Sequence, residues 1–184
     1  MPHYIVIEGV IGVGKTTLTR LLARTFTATP VLEVVEENPF LSAFYGDRAR
    51  YAFQTQTFFV LSRFRQQQTQ VAPLRGRSNL ISDYLFAKNE IFARLNLQGD
   101  ELELFEQLYG VLAERVPQPD LVVYLQADVD TLMTRIALRD RPFERDMDRQ
   151  YISDLRDAYE EFFAHYTATP LLTIATDTLN LVRD

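Results

Sequence analysis

Lysine is scarce in this 184-residue chain. Of its 19 basic residues only Lys15 and Lys88 are Lys; the rest are Arg. Lys15 is the lysine of the run Gly9-Val10-Ile11-Gly12-Val13-Gly14-Lys15-Thr16, which fits the pattern G-x-x-x-x-G-K-[ST]. The chemistry of such a run is phosphate binding. Gly9, Gly12 and Gly14 let the backbone N–H groups of the loop, Val13 among them, turn inward around phosphate oxygens. The helix opening at Lys15-Thr16-Thr17 adds its positive end. Lys15 would reach the outer phosphates, and the Thr16 hydroxyl would ligate Mg²⁺. The motif names a nucleoside triphosphate but not a reaction.

A second group is cationic. Arg135 and Arg139 are four apart and share a helix face, and Arg141 follows just before Pro142. Such a cluster can close over a transferring phosphoryl group. It can equally complement a helix dipole, or pair with Asp140, Glu144 and Asp146. Residues 135–149 carry five Arg against four acids, although the whole chain has a net charge of −6.

The acids come next. Phosphoryl transfer to a hydroxyl needs one carboxylate to accept the proton and another to hold the metal. Glu33, Glu36 and Glu37 compete for the first role, and spacing alone does not separate them. Glu36 and Glu37 read as solvated loop charges. Asp83 suits the metal or a helix cap. In the long middle helix, Gln56 and Arg63 are seven apart with Phe59 between them. A Gln amide can pair with a nucleobase edge, and a Phe can stack on the base. The plainer reading is an amphipathic helix with Phe53, Phe58 and Phe59 in the core.

The elements that must position these residues alternate. Strands are expected at Tyr4–Glu8, Pro30–Val35, Asn79–Asp83, Leu121–Leu125 and Pro170–Ala175. Helices are expected at Lys15–Phe26, Phe40–Tyr45, Arg48–Val71, Phe86–Leu95, Asp100–Val116, Val129–Arg139 and Asp148–Tyr166. Asp100 should cap its helix. The inward face of Arg48–Val71 should carry Tyr51, Thr55, Phe58, Phe59 and Ser62. Thr176–Asp184 is expected to add a short terminal helix or to be cut short. This order predicts one α/β domain over residues 1–184, with a doubly wound, five-stranded parallel sheet flanked by helices and an Arg-rich lid at about 139–147.

Composition excludes several classes. With no Cys there is no disulfide, cysteine nucleophile, Cys-ligated zinc or iron–sulfur cluster. Two His are too few for a His-rich metal site. The acidic balance argues against nucleic-acid or membrane partners. No signal peptide or membrane-length apolar run is evident, so the cytoplasm is the expected location.

Together the residues resemble the deoxynucleoside kinases, especially their bacterial purine-preferring branch. The resemblance runs from Tyr4 to about Ile174. It rests on IEGVIGVGKTT at 7–17, ENPFLSAFY at 37–45, QTFFVLSR at 56–63, SDYLFAKNEIFARLNL at 82–97 and RIALRDRPFER at 135–145. It implies a P-loop kinase fold. It also implies ATP and Mg²⁺, the latter held by Thr16 and Asp83, and a homodimer or heterodimer with a related chain through the middle helices.

The resemblance implies roles for single residues as well. Glu33 is the base, Arg63 lies near the 5′ end of the substrate, and Arg135, Arg139 and Arg141 serve the lid. Tyr45 and Glu144 contact the sugar 3′-hydroxyl, and Gln56 reads the base with Phe59 and Phe92 beside it. The chain departs from the family pattern in several places. Val34 follows Glu33 where the family has Pro, and Asn38 stands where an aromatic is frequent, for which Phe40 would substitute. Asn89 replaces a base-discriminating Asp. An Arg after Asp83 is missing, and Lys88 would supply its charge.

The function expected is ATP-dependent phosphorylation of the 5′-hydroxyl of a deoxynucleoside. Deoxyadenosine or deoxyguanosine is the expected acceptor, with deoxycytidine a third. The alternatives are a thymidylate-like nucleoside monophosphate kinase and a non-catalytic nucleotide-binding module.

Overall fold

A computed structural model describes residues 1–179 of the chain. Five strands form one parallel sheet in the order β2-β3-β1-β4-β5. They are β1 Tyr4–Gly9, β2 Thr29–Val31, β3 Leu80–Ser82, β4 Leu121–Gln126 and β5 Leu171–Ala175. The helices are α1 Lys15–Thr25, α2 Leu41–Gly46, α3 Arg48–Gln66, α4 Lys88–Asn96, α5 Gly99–Ala113, α6 Val129–Arg139 and α7 Arg149–Ala164.

β1 is the central strand. It pairs with β3 on one side (Tyr4 opposite Leu80) and β4 on the other (Ile5 opposite Leu121). Val6, Ile7, Leu80, Ile81, Val122 and Leu125 are buried, as expected of strands covered on both faces. The strand order reverses at β1. Ligands in open parallel sheets bind beyond the carboxyl ends of the strands at such a point, and the phosphate loop leaves β1 there.

Two strands stop earlier than expected. β2 runs only from Thr29 to Val31, because its register with β3 ends at Val31 opposite Ser82. Glu33 therefore lies beyond the strand, and its N–H donates to the Asp83 carboxylate at 2.7 Å instead of to a neighbouring strand. Asp83 likewise lies one residue past β3.

α3 ends at Gln66 and continues as one π-helical turn, Gln67–Val71. Its buried face carries Ala52, Thr55, Gln56, Phe59, Val60, Arg63 and Gln66, while Tyr51, Phe58 and Ser62 are only half-buried. The expected face is rotated because Gln56 and Arg63 turn inward as polar residues, a pattern that apolar periodicity does not register. α5 has Gln98 at its N-cap, not Asp100, which sits in the first turn where its charge complements the dipole. Asp47 and Asp148 do cap α3 and α7, accepting from the N–H groups of Arg50 and Gln150. Residues 176–179 form a turn; the rest of the expected terminal element, 180–184, lies outside the described residues.

The phosphate loop is shaped by close approach. Gly9 has φ +150, and a Cβ there would lie 2.4 Å from the Leu125 carbonyl oxygen. Gly76 also has positive φ (+77) but nothing near it. Gly9→Ala should cost about 2 kcal/mol or more, from strain plus backbone overlap. Gly76→Ala should cost only about 1 kcal/mol. Urea unfolding of the two variants checks the difference.

Candidate active site

A cavity of about 1050 Å³ opens at the carboxyl edge of the sheet. Residues Gly12 to Thr17 of the phosphate loop form its floor. Gly9 lies behind the loop and does not line it. The Lys15 ammonium arches back over the loop and donates to the carbonyls of Gly9 (2.6 Å) and Val10 (3.1 Å). Burial, then repulsion from Lys88, lowers its pKa to about 8.

From Thr16 a line of hydrogen bonds crosses the cavity. The Thr16 hydroxyl donates to Asp83 Oδ2 at 2.6 Å, and Asp83 Oδ1 accepts the Glu33 N–H. Burial, then the Glu33 charge, raises the Asp83 pKa. Thr16 and Asp83 thus place two hard oxygen donors side by side. That set fits Mg²⁺, which takes one or two carboxylates and completes its shell with water and substrate phosphates. Among the described residues no group of three or more His, Asp or Glu is placed to hold a metal.

Glu33 is held by both carboxylate oxygens. Oε1 accepts from Arg63, with Nε at 2.8 Å, and Oε2 accepts from Lys88 Nζ at 2.8 Å. Arg63 and Lys88 are themselves buried. Burial would raise the Glu33 carboxyl, but the two cations outweigh it and hold its pKa far below the usual carboxylate range. The cations also lie over aromatic faces, Arg63 at 4.6 Å from the Phe59 ring centroid and Lys88 at 5.5 Å from that of Phe92.

Gln56, Phe59 and Phe92 line the cavity. Asn89 and Phe40 do not. Asn89 is fully buried behind Arg63: its oxygen accepts from the guanidinium and its NH₂ donates to the Phe86 carbonyl at 2.8 Å. Its amide is committed to holding Arg63 and is not presented to a ligand. Phe40 sits at the N-cap of α2.

The lid residues come together from one side. Arg139 donates to the buried Glu144 carboxylate, with Nε at 3.1 Å. Arg141 lies 3.3 Å from Glu36 and 3.8 Å from Glu144. Glu36, read as a solvated charge, therefore ties the loop after β2 to the lid. Tyr45 stacks on Phe143 of the lid with ring centroids 6.2 Å apart. Burial, then Tyr151 and Glu144, pushes its hydroxyl pKa well above the ordinary value. Arg135 stands apart from the lid pairs. It donates to the carbonyls of Val13 (3.2 Å) and Thr176 (2.6 Å), bridging the phosphate loop and the end of β5.

Glu8 was missed by the reading of the sequence. It is fully buried beneath the loop, and the only signal was a lone charge in an otherwise apolar strand.

A family model described as deoxynucleoside kinase matches residues 5–184. The chain belongs to that family. A deoxyguanosine kinase of Bacillus subtilis (strain 168) is 37% identical over 175 residues, covering 94% of this chain and 84% of the relative. A deoxyadenosine/deoxycytidine kinase of the same organism is 30% identical over 190 residues, 98% of this chain and 85% of the relative. Among solved structures, deoxyadenosine kinase from M. mycoides with bound dCTP superposes with a TM-score of 0.85 at 25% identity, covering 96% of this chain and 92% of that one. The chain is therefore a phosphotransferase of the deoxynucleoside kinase family.

The buried and rim ion pairs of this kinase should differ sharply in worth. Arg63→Met leaves Glu33 with one cation and Asn89 with an unfilled acceptor, and should destabilise the fold by about 3–5 kcal/mol. Arg141→Ala, whose Glu36 partner is largely exposed, should cost at most about 1 kcal/mol. Chemical denaturation of both variants is the check.

Proposed function

We propose that this kinase transfers the γ-phosphoryl group of ATP to the 5′-hydroxyl of a purine deoxynucleoside, serving nucleotide salvage. Deoxyguanosine or deoxyadenosine is the favoured acceptor and deoxycytidine the third. One observation carries the reading. Thr16, Asp83 and Glu33 are joined in a continuous line of two hydrogen bonds, 2.6 and 2.7 Å long. That line fixes the Glu33 backbone beside Asp83, and Glu33 lines the same cavity as Lys15, Thr16 and the rest of the phosphate loop.

The roles follow from position. Glu33 accepts the 5′-hydroxyl proton. The backbone of residues 11–17 and Lys15 hold the donor phosphates, with Gly9 supporting the loop from behind. Arg63, Arg135, Arg139 and Arg141 screen the charge that spreads over the transferring group. Lys88 provides the charge that the family carries as Arg after Asp83; its contact with Glu33 supports this. Thr16 and Asp83 would hold Mg²⁺, which when bound neutralises phosphate charge. Gln56 reads the base edge between Phe59 and Phe92, and Tyr45 and Glu144 hold the sugar. Asn89 serves the base only through Arg63. The names of the relatives, deoxyguanosine kinase and deoxyadenosine/deoxycytidine kinase, support the acceptor range.

We assign residues 1–184 to one P-loop domain with its lid at about 139–147, working in the cytoplasm. No helix among the described residues is long and apolar enough to cross a membrane. A second copy, or a related chain, would cover α5 and the neighbouring part of α3. α5 buries only Phe105, while Leu104 and Val111 are 57% and 60% exposed and Leu61 of α3 is 48% exposed. Such an apolar face is characteristic of an interface.

The test is a panel of four deoxynucleosides with ATP and Mg²⁺, assayed for the 5′-monophosphate, with the four monophosphates as rival acceptors. Phosphorylation confined to the monophosphates would reject the reading. Glu33→Gln should bind deoxynucleoside yet lower kcat about 10²–10⁴-fold. Lys88→Ala should lower kcat by about a hundredfold. Rates like the unmodified enzyme's would remove either residue from the mechanism.

A further inference from the structure

We infer that Glu8 is a positioning residue for phosphoryl transfer, clamping the phosphate loop and the β3–α4 turn to one another through a single buried carboxylate. Glu8 does not line the cavity, and its side chain is fully buried. Its oxygens are filled by neutral donors from three elements. Oε1 accepts from the Gly9 N–H at 2.8 Å and the Tyr159 hydroxyl of α7 at 3.2 Å, and Oε2 accepts from the Leu85 N–H at 2.7 Å. A carboxylate is expensive to bury, and a position that served packing alone could be filled by an apolar residue. Here the charge is matched to two backbone donors that belong to opposite halves of the site.

The first half is the phosphate loop. Gly9 donates its N–H to Glu8 and offers its carbonyl to Lys15 Nζ at 2.6 Å. Fixing this glycine, whose φ only Gly adopts freely, fixes where the Lys15 ammonium is held. The second half is the turn between β3 and α4. Leu85 follows Asp83 by two residues, and its carbonyl accepts the Lys88 N–H at 3.0 Å at the start of α4. Phe86, next in the turn, accepts from Asn89, which in turn supports Arg63. A shift of the Leu85 peptide therefore moves Asp83, Lys88 and Arg63 together. The Glu8 carboxylate sets the spacing between Lys15 on the donor side and Lys88 on the acceptor side. Misplacement by an ångström is enough to slow group transfer strongly.

Glu8→Gln keeps the shape but places an NH₂ donor against one of two N–H donors, orphaning it. The inference rests on the proposed deoxynucleoside phosphorylation, and the two are separable. An unmodified protein without deoxynucleoside turnover would refute that function, whereas variant kinetics bear on Glu8 alone. In steady-state assays with deoxyguanosine, ATP and Mg²⁺, Glu8→Gln should lower kcat about tenfold or more. Its deoxynucleoside KM should stay within about threefold, because the nucleoside contacts are untouched. In a Lys88→Ala background the same change should cost much less, since both act through one turn. If Glu8→Gln does not fold, Glu8→Asp decides by the same split, its charge kept but its reach one methylene short. A kcat within about twofold of the unmodified enzyme, or losses that multiply independently with Lys88→Ala, would overturn the inference. So would failure of both variants to fold, which would make the role structural only.

Discussion

Glu33 carries a negative charge out of water, and that is tolerable only because two buried cations share it. Arg63 arrives from α3 and Lys88 from the start of α4, so one carboxylate locks together the loop after β2 and two helices. A buried ion pair adds little net stability, because desolvation offsets attraction. Its worth here is positional. Removing any member would strand a charge in a low-dielectric site, so the arrangement tolerates few alternatives. The aromatic rings of Phe59 and Phe92 lie beside the same two cations. The surfaces proposed to sandwich a base are therefore fixed by the groups proposed to manage phosphate charge.

Asp83 extends this lock to the phosphate loop. Because β2 and β3 both end early, Glu33 and Asp83 lie just beyond their strands at the sheet edge, and Asp83 ties Glu33 to Thr16. The switch point at β1 makes this possible. The phosphate loop leaves the central strand, and the strand beside it delivers the acid. The residues proposed for the acceptor and donor sides thus meet by topology, without a long loop to bring them together.

How much of this could be read from the chain depended on whether the signal was local. The phosphate loop is contiguous, and its strand and helix flank it in sequence, so its fold and its place at the cavity were legible. The five strands and their order of appearance were legible for the same reason. Choosing Glu33 over Glu36 and Glu37 needed the family pattern, because all three acids sit in one loop and their difference lies in partners 30 and 55 residues away. Asn89 was misplaced because an amide turned toward a base and an amide turned behind an Arg have the same sequence neighbours. The rotated face of α3 escaped periodicity because its inward polar residues, Gln56 and Arg63, look like surface positions. Glu8 escaped because a buried acid satisfied by backbone N–H groups has no partner motif to betray it.

A carboxylate held so far below the usual range is a weak base, which at first sight opposes the role proposed for Glu33. The chemistry removes the conflict. Phosphoryl transfer passes through a loose transition state in which the attacking oxygen has gained little bond order, so its proton need not leave early. What the step requires is an acceptor that is always ionised and always aimed, to hold the hydroxyl lone pair in line with the phosphorus. Two cations supply both properties to Glu33, at the cost of basicity that the reaction does not need. The same cations line the cavity beside the phosphate loop, where the proposed transfer would develop its charge. A more basic, less tightly paired glutamate would gain proton affinity and lose the orientation on which this kind of transfer depends.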